Sequence, residues 1–192
     1  MKKLVWFVLA LALVPAPALA QDGGGRLPDG APGFAVGTFG NGHAYALAQS
    51  FQVPDGGTYS GAVLAFGETQ GTPSGAVRWQ VRRWYAAIGY MGRVVACGAW
   101  EPEPLAYNAL PFEAVRLVPG TYALVLSAVD DQARGDYWVV LATPGDVDLY
   151  AAGDLLQLQE DGGQWGAWER QDVYGVIDVA GAGGMWLALG TE

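Results

Sequence analysis

Lysine, histidine and cysteine are nearly missing from this chain of 192 residues. The two lysines are Lys2 and Lys3, and the single histidine and cysteine are His43 and Cys97. Without a lysine beyond residue 3, a Schiff base or a Lys-Asn cross-link is excluded there. A zinc site or a His-dependent nucleophile would need further His or Cys residues, and one cysteine cannot form an intramolecular disulfide. We expect Cys97, which lies in an apolar run, to be a buried core residue.

Positive charge is scarce as well. After residue 20 the chain carries eight Arg against nineteen Asp and Glu. Nucleic acids and anionic lipid headgroups are bound through clustered Lys and Arg. Both are therefore predicted to be poor partners.

The first twenty residues have the pattern of a secretory signal peptide. Lys2 and Lys3 precede an apolar run at 4–14, and Ala18 to Ala20 supplies small residues for cleavage. The apolar run is too short to span a bilayer, so no transmembrane segment is expected after cleavage. The sequence predicts an exported protein that is periplasmic, on the cell surface or secreted.

The rest of the chain divides by composition into three parts. Residues 21–43 are rich in Gly and Pro and are predicted to be a flexible lead-in. Residues 44–180 show short apolar runs separated by turn signals and are predicted to be one domain, followed by a tail at 181–192. The predicted strands are 45–53, 58–67, 75–85, 93–99, 112–118, 121–129, 136–142, 155–159 and 172–179.

These strands predict an all-β fold, a β-sandwich of jelly-roll-like topology. The third strand alternates most clearly, because Val77, Trp79 and Val81 share one face while polar residues occupy the other. Arg83-Trp84-Tyr85 interrupts this alternation, which indicates a bulge or a strand end near residue 83.

The order of the sequence blocks resembles the choice-of-anchor R domain of exported bacterial proteins. The resemblance covers about 44–179 and rests on blocks at 48–54, 56–58, 71–75, 117–126, 136–138, 150–153 and 161–165. It implies a secreted β-sandwich module on a cell surface, without an established catalytic centre. Family members commonly end in an anchoring tail, whereas this chain ends in the short apolar patch Met185 to Leu189.

Aromatic side chains near loops and strand ends are the strongest indication of a binding site. Flat rings can stack on sugar faces, although they also serve as core residues because each buries a large apolar area. Trp79 and Trp138 lie mid-strand and are assigned to packing. The candidate ligand-binding residues are Trp165, Trp168, Trp84, Tyr85, Tyr90 and Trp100.

Acidic residues suggest a metal site but only weakly a catalytic one. Asp146, Asp148 and Asp154 lie close together between predicted strands and could hold a structural calcium ion; no other cofactor is predicted. Pairs such as Glu101 and Glu103 could in principle supply a glycosidase's acid and base. Their place in loops is more typical of solvated turns.

Three functions remain open from the sequence. The first is a non-catalytic module that binds a glycan or an envelope polymer. The second is a structural subunit of a surface layer, filament or virion that binds copies of itself, with Met185, Trp186 and Leu187 as assembly residues. The third, a glycosidase-like enzyme, depends on the carboxylate pairs alone.

Overall fold

The computed structural model describes residues 27, 29–38, 44–73, 75–110, 114–128, 134–144, 150, 152–159, 165–168, 172–173 and 175–180. The predicted all-β class is confirmed, since the helical structure in these residues is one 3-10 turn, Ala86–Ile88. No helix of the described part is long and apolar enough to cross a membrane. The strands are β1 Gly33–Thr38, β2 Ala44–Val53, β3 Gly57–Phe66, β4 Val77–Tyr85, β5 Tyr90–Trp100, β6 Ala106–Ala109, β7 Val115–Leu117, β8 Gly120–Ala128, β9 Tyr137–Leu141, β10 Leu155–Gln159, β11 Trp165–Trp168 and β12 Gly175–Ala180.

All strand pairs are antiparallel and belong to one curled sheet. Its main path runs β12-β3-β9-β1-β2-β8-β4-β5. Off this path, β10 pairs with β2 and β11, while β6 and β7 pair with β3. Strand β5 lies at one end of this path and, among the described strands, pairs with β4 alone. A sandwich of jelly-roll topology stays a prediction.

The curled sheet encloses one large apolar core. Residues of β1, β2, β3, β4, β8, β9, β10 and β12 contribute to it, with Trp79 and Phe51 among its largest side chains. A smaller cluster on the other face of the sheet contains Val125, Trp84 and Met91. In β8 the side chains alternate between the two clusters, as the period-2 geometry of a strand requires. Strand β8 is therefore buried on both faces.

The alternation of apolar and polar residues in β4 is found as predicted. Val77, Trp79 and Val81 of β4 are buried, while Arg78 between them is exposed. The register between β4 and β5 shifts twice between Val81 and Trp84. The predicted irregularity near residue 83 is confirmed.

The predicted start of the folded domain at residue 44 is wrong. Strand β1 lies inside the segment 21–43, pairs with both β2 and β9, and buries Phe34 and Val36. The Gly and Pro content of that segment hid a short run, Gly33–Thr38, whose apolar residues fill the core. The short strands β6 and β11 were also missed.

Cys97 is exposed rather than buried, which corrects the prediction from its apolar neighbours. It lies on β5 opposite Gln80 of β4. Gly98 beside it is the residue that faces the core, because a β-carbon there would lie 2.7 Å from the indole of Trp79. The large indole fills the space that the small residues of β5 leave open.

Candidate binding site at the β4–β5 hairpin

The hairpin between β4 and β5 presents two stacked tyrosine rings. Tyr85 ends β4 and Tyr90 begins β5, and the two residues are paired in the register. Gly89 closes the 3-10 turn between them with φ 59°, a left-handed conformation that glycine adopts without strain. The ring centroids lie 6.1 Å apart at an interplanar angle of 29°. Tyr85 is 48% exposed and Tyr90 57% exposed, so both rings are accessible to a ligand.

Gly92 makes room for the Tyr85 ring. A β-carbon on this residue would lie 2.7 Å from Cε2 of Tyr85 and 3.4 Å from Cβ of Arg83. Tyr85 therefore packs on the backbone of β5 on one side and on Tyr90 on another. This packing restricts the ring before any ligand arrives, which lowers the entropy that binding must overcome.

Arg83 connects the hairpin to the turn before β8. Its Nη1 donates to the hydroxyl of Tyr122 at 2.9 Å, and its Nη2 donates to the carbonyl of Pro119 at 2.9 Å. The guanidinium carbon also lies 4.9 Å from the Tyr122 ring centroid, within the range of a cation–π contact. Tyr122 in turn donates to the Val118 carbonyl at 2.8 Å. Gly120 has a φ of 148°, which L side chains rarely adopt, and a β-carbon there would also displace the guanidinium group.

Arg82 stabilises the irregular pairing on the β5 side. Its Nε donates to the carbonyl of Gly92 at 2.9 Å, and its Nη2 lies 3.5 Å from the carbonyl of Met91. The register shift of β4 against β5 lies beside these groups. Two adjacent arginines thus hold backbone on both sides of the hairpin.

An open cleft lies beside the Arg83 contacts. It has a volume of about 330 Å³ and is lined by Asp55, Gly56, Gly57, Thr58, Arg116, Leu117, Val118 and Pro119. The Arg83 bond to Pro119 makes the hairpin and the cleft neighbours. The lining brings a carboxylate, a guanidinium and an exposed Val118 together. We refer to Tyr85, Tyr90, Arg83 and this cleft together as the hairpin site.

One of the predicted aromatic residues is buried, and another is half-buried. Trp84 is buried in the smaller apolar cluster with Met91, because the alternation of β4 places it on the face opposite Trp79. Trp100 is half-buried and meets Phe66 edge-on, with ring centroids 5.9 Å apart. The prediction for Trp84 is corrected, that for Trp100 stays a prediction, and Trp79 and Trp138 pack in the core as predicted.

The remaining predicted ligand-binding residues, Trp165 and Trp168, belong to β11. Their backbone pairs with Leu158 and Leu155 of β10. Their side chains lie outside the described part of the structure. Their predicted role stays a prediction.

The predicted calcium and assembly residues lie mostly outside the described residues. This holds for Asp146 and Asp148, and also for Met185, Trp186 and Leu187. Asp154 is described, and its backbone exchanges hydrogen bonds with Ser50, whose hydroxyl accepts from the Asp154 amide at 2.7 Å. Within the described residues, no group of three or more His, Cys, Asp or Glu could hold a metal ion.

A buried polar network was missed by the sequence analysis. Gln49 Nε2 donates to Asp172 Oδ1 at 2.7 Å, and Gln49 Oε1 accepts from the Val173 amide at 3.0 Å. The other carboxylate oxygen of Asp172 accepts from the Tyr150 amide at 2.9 Å. Gln49 lies between Leu47 and Phe51 in the row of side chains on the core face of β2. This period-2 pattern could have revealed a buried amide. The network fixes chain segments far apart in sequence and lies apart from the hairpin site.

Comparison of the chain with protein-family models, with curated proteins and with solved structures finds no match. The resemblance to the choice-of-anchor R domain therefore stays a prediction from the residues.

Proposed function

We propose that the protein is a non-catalytic, exported binding module that recognises a glycan or envelope polymer at the hairpin site. The observation that carries the proposal is the pair of half-exposed tyrosine rings, stacked on each other and fixed against the backbone of β5. Rings held in this way present apolar faces together with hydroxyl groups at their edges. Sugars have the complementary surface, with apolar C–H faces and a rim of hydroxyl groups.

The adjoining cleft supports the same function. Binding sites usually combine aromatic surface with a few polar groups that fix orientation. Asp55 can accept hydrogen bonds from sugar hydroxyls, and Arg116 can donate them. Because the cleft is open, it suits an extended polymer better than an enclosed small molecule.

Assembly with copies of itself is the second candidate, and strand β5 favours it. This strand spans eleven residues, ends the sheet path and contains a single charged residue, Arg93. Long edge strands with few charges can pair with a strand of another chain. The register shift against β4 opposes such pairing, since bulges disrupt the regular edge. We therefore place assembly second.

Alanine substitution of the tyrosines tests the proposal. Tyr90→Ala is expected to weaken binding to a responsive polysaccharide about tenfold or more, since aromatic anchors contribute most of the binding energy at such sites. Ile88→Ala is the matched control, because Ile88 lies in the same turn and is 74% exposed but has no ring. Affinity electrophoresis through a panel of polysaccharide gels measures both variants.

Two outcomes would contradict glycan binding. Equal affinity in the wild type, Tyr90→Ala and Ile88→Ala would mean that the hairpin site is not used. A stable oligomer in light scattering that binds none of the polysaccharides would favour assembly. The Tyr90→Phe variant shows in addition how much of the binding depends on the hydroxyl group.

A further inference from the structure

Charge is distributed very unevenly along this acidic chain. Residues 69–100, which include β4 and β5, contain four Arg and no Asp, Glu or Lys. The neighbouring strands β8, β2 and β10 also contain no acidic residue. The connected strands β10-β2-β8-β4-β5 therefore carry positive charge only, although the whole chain has a net charge of −9.

Three of these four arginines lie within three residues of Tyr85 or Tyr90 along β4 and β5. Arg82 and Arg83 directly precede Trp84 and Tyr85, and their guanidinium groups are fixed by the backbone carbonyls of Gly92 and Pro119. Arg93 follows Tyr90 on β5 and is exposed. No ion pair joins Arg93 to a carboxylate within the described residues. Each guanidinium has five N–H donors, and the bonds to the protein occupy two of them in Arg83.

The local charge, rather than the net charge, decides what binds at this site. At physiological salt, exposed charges more than about 8 Å apart are largely screened from each other. The acidic residues elsewhere in the chain therefore weaken an anion's attraction to the arginines only in part, and Asp55 in the cleft lies beside Arg116 in the same lining. Guanidinium groups match the planar or tetrahedral geometry of carboxylate, sulfate and phosphate oxygens, and they can bind these groups in a bidentate manner.

We infer that the polymer bound at the hairpin site is an anionic glycan, whose sugar rings stack on Tyr85 and Tyr90 while its carboxylate or sulfate groups bind Arg93 and the free N–H groups of Arg83. This inference rests on the proposed function of the same site. Nucleic acid fits less well, because proteins that bind it typically contact many phosphates along an extended basic surface. The hairpin site offers few arginines, and its cleft also contains the carboxylate of Asp55.

Paired polymers that differ only in charge test the inference on the full chain. Polygalacturonate is compared with its methyl ester, and chondroitin sulfate with its desulfated form, so that the carboxylate and sulfate arms are separated. We expect each anionic member to bind more tightly than its neutral or less charged partner. Raising the NaCl concentration from 50 to 300 mM should weaken that binding severalfold, as expected for ion pairs.

Arg93→Gln and Arg134→Gln form a matched pair of variants. Both residues are exposed, and both changes remove one positive charge. Arg93→Gln is expected to weaken binding of the anionic polymer about two- to fivefold, the upper part of the range for the loss of one exposed ion pair. Arg134→Gln should stay within twofold of the wild type, since Arg134 lies in the turn before β9.

The outcomes separate the inference from the proposed function. Equal binding of charged and neutral polymers, lost in Tyr90→Ala, would overturn the anionic ligand and leave glycan binding intact. Equal losses of affinity in Arg93→Gln and Arg134→Gln would also overturn the anionic ligand, because the effect would then come from the net charge of the protein and not from Arg93. Tighter binding to an oligonucleotide or to vesicles containing phosphatidylglycerol would overturn it in favour of those ligands. Binding to no polymer would contradict both proposals.

Discussion

Tyr59 links the core to the hairpin site through a row of aromatic rings. Its ring stacks near Phe51 at a centroid distance of 6.3 Å, and Phe51 stacks near Tyr122 at 5.9 Å. Tyr122 then contacts Arg83. Tyr59 is fully buried, and this burial raises the pKa of its hydroxyl group above the usual range, because the phenolate ion would lose its hydration.

The raised pKa of Tyr59 predicts a loss of stability at alkaline pH. The folded state keeps the phenol protonated, while the unfolded state releases the proton above about pH 10. The stability that depends on the protonated Tyr59 hydroxyl is therefore fully present below pH 10 and is lost above it. The free energy of unfolding falls by about 1.4 kcal/mol per pH unit. Urea unfolding at several pH values between 8 and 11.5 measures this slope.

The Tyr59→Phe variant supplies the control for this slope. Tyr59→Phe is expected to remove the fall in unfolding free energy that Tyr59 causes above pH 10. Tyr90→Phe, which changes an exposed ring, should show the same fall as the wild type. Identical slopes in the wild type and Tyr59→Phe would show that another group is responsible. Beyond residue 3 the chain contains no lysine, so lysine side chains there do not contribute to this slope.

At the level of single residues, the sequence indicated the right chemistry for part of the site. Tyr85 and Tyr90 were predicted as ligand-binding residues, and both are exposed. Trp84, which precedes Tyr85, is buried, because the alternation of β4 places it on the face of the smaller apolar cluster. The sequence indicated an irregularity at residue 83 but not that residues of β5 and β8 bury a ring on this second face. Arg83 itself could not be recognised, since its partners Tyr122 and Pro119 are distant in sequence.

Strand β1 is the element that the sequence analysis missed and the fold requires. It pairs with β9 over Gly33 to Gly37 and with the first residues of β2. Phe34 and Val36 fill the core from this strand. Their loss would leave a cavity and two unpaired strand edges at once.

Truncation tests the role of β1. A chain that starts at residue 44 is expected to lose its cooperative folding transition. Each large core side chain that is removed costs about 2–5 kcal/mol, and typical domains have only about 5–15 kcal/mol of stability. A chain that starts at residue 27 keeps β1 and should unfold like the untruncated protein. Near-UV circular dichroism during thermal unfolding distinguishes the two, and equal transitions would show that β1 contributes little.

The elements differ in how well their sequences predict them. Strand β4 alternates in hydropathy because one face meets the core and the other is more polar, so its pattern is visible locally. Strand β1 is bordered by Gly and Pro, and its apolar run is short. Cys97 on β5 has apolar neighbours but is exposed, because the strand lies at the end of the sheet path and meets the protein on one edge only. Such properties depend on strand order, which the local pattern does not contain.

On the scale of the whole molecule, charge of opposite sign is separated along the sequence. The connected strands β10-β2-β8-β4-β5 contain arginines and no acidic residue, and the nineteen acidic residues lie elsewhere in the sequence, with Asp55 in the cleft of the hairpin site. This separation concentrates positive charge where the tyrosines are exposed. It also leaves the remaining surface with an excess of carboxylates, which repel one another and destabilise the compact state.

That repulsion predicts that salt stabilises the fold. At pH 7, raising NaCl from 10 to 150 mM shortens the Debye length from about 30 Å to about 8 Å and screens the carboxylates from each other. We expect the melting temperature to rise by about 2–4 °C, which corresponds to roughly 1 kcal/mol in a domain of this size. Close to the pH of zero net charge the same addition of NaCl should change the melting temperature much less, because the repulsion is then small.

A fall in melting temperature with salt at pH 7 would mean that attraction between arginines and carboxylates outweighs the repulsion. The positive patch would then be neutralised within the molecule, and it would be a poor site for an anionic polymer.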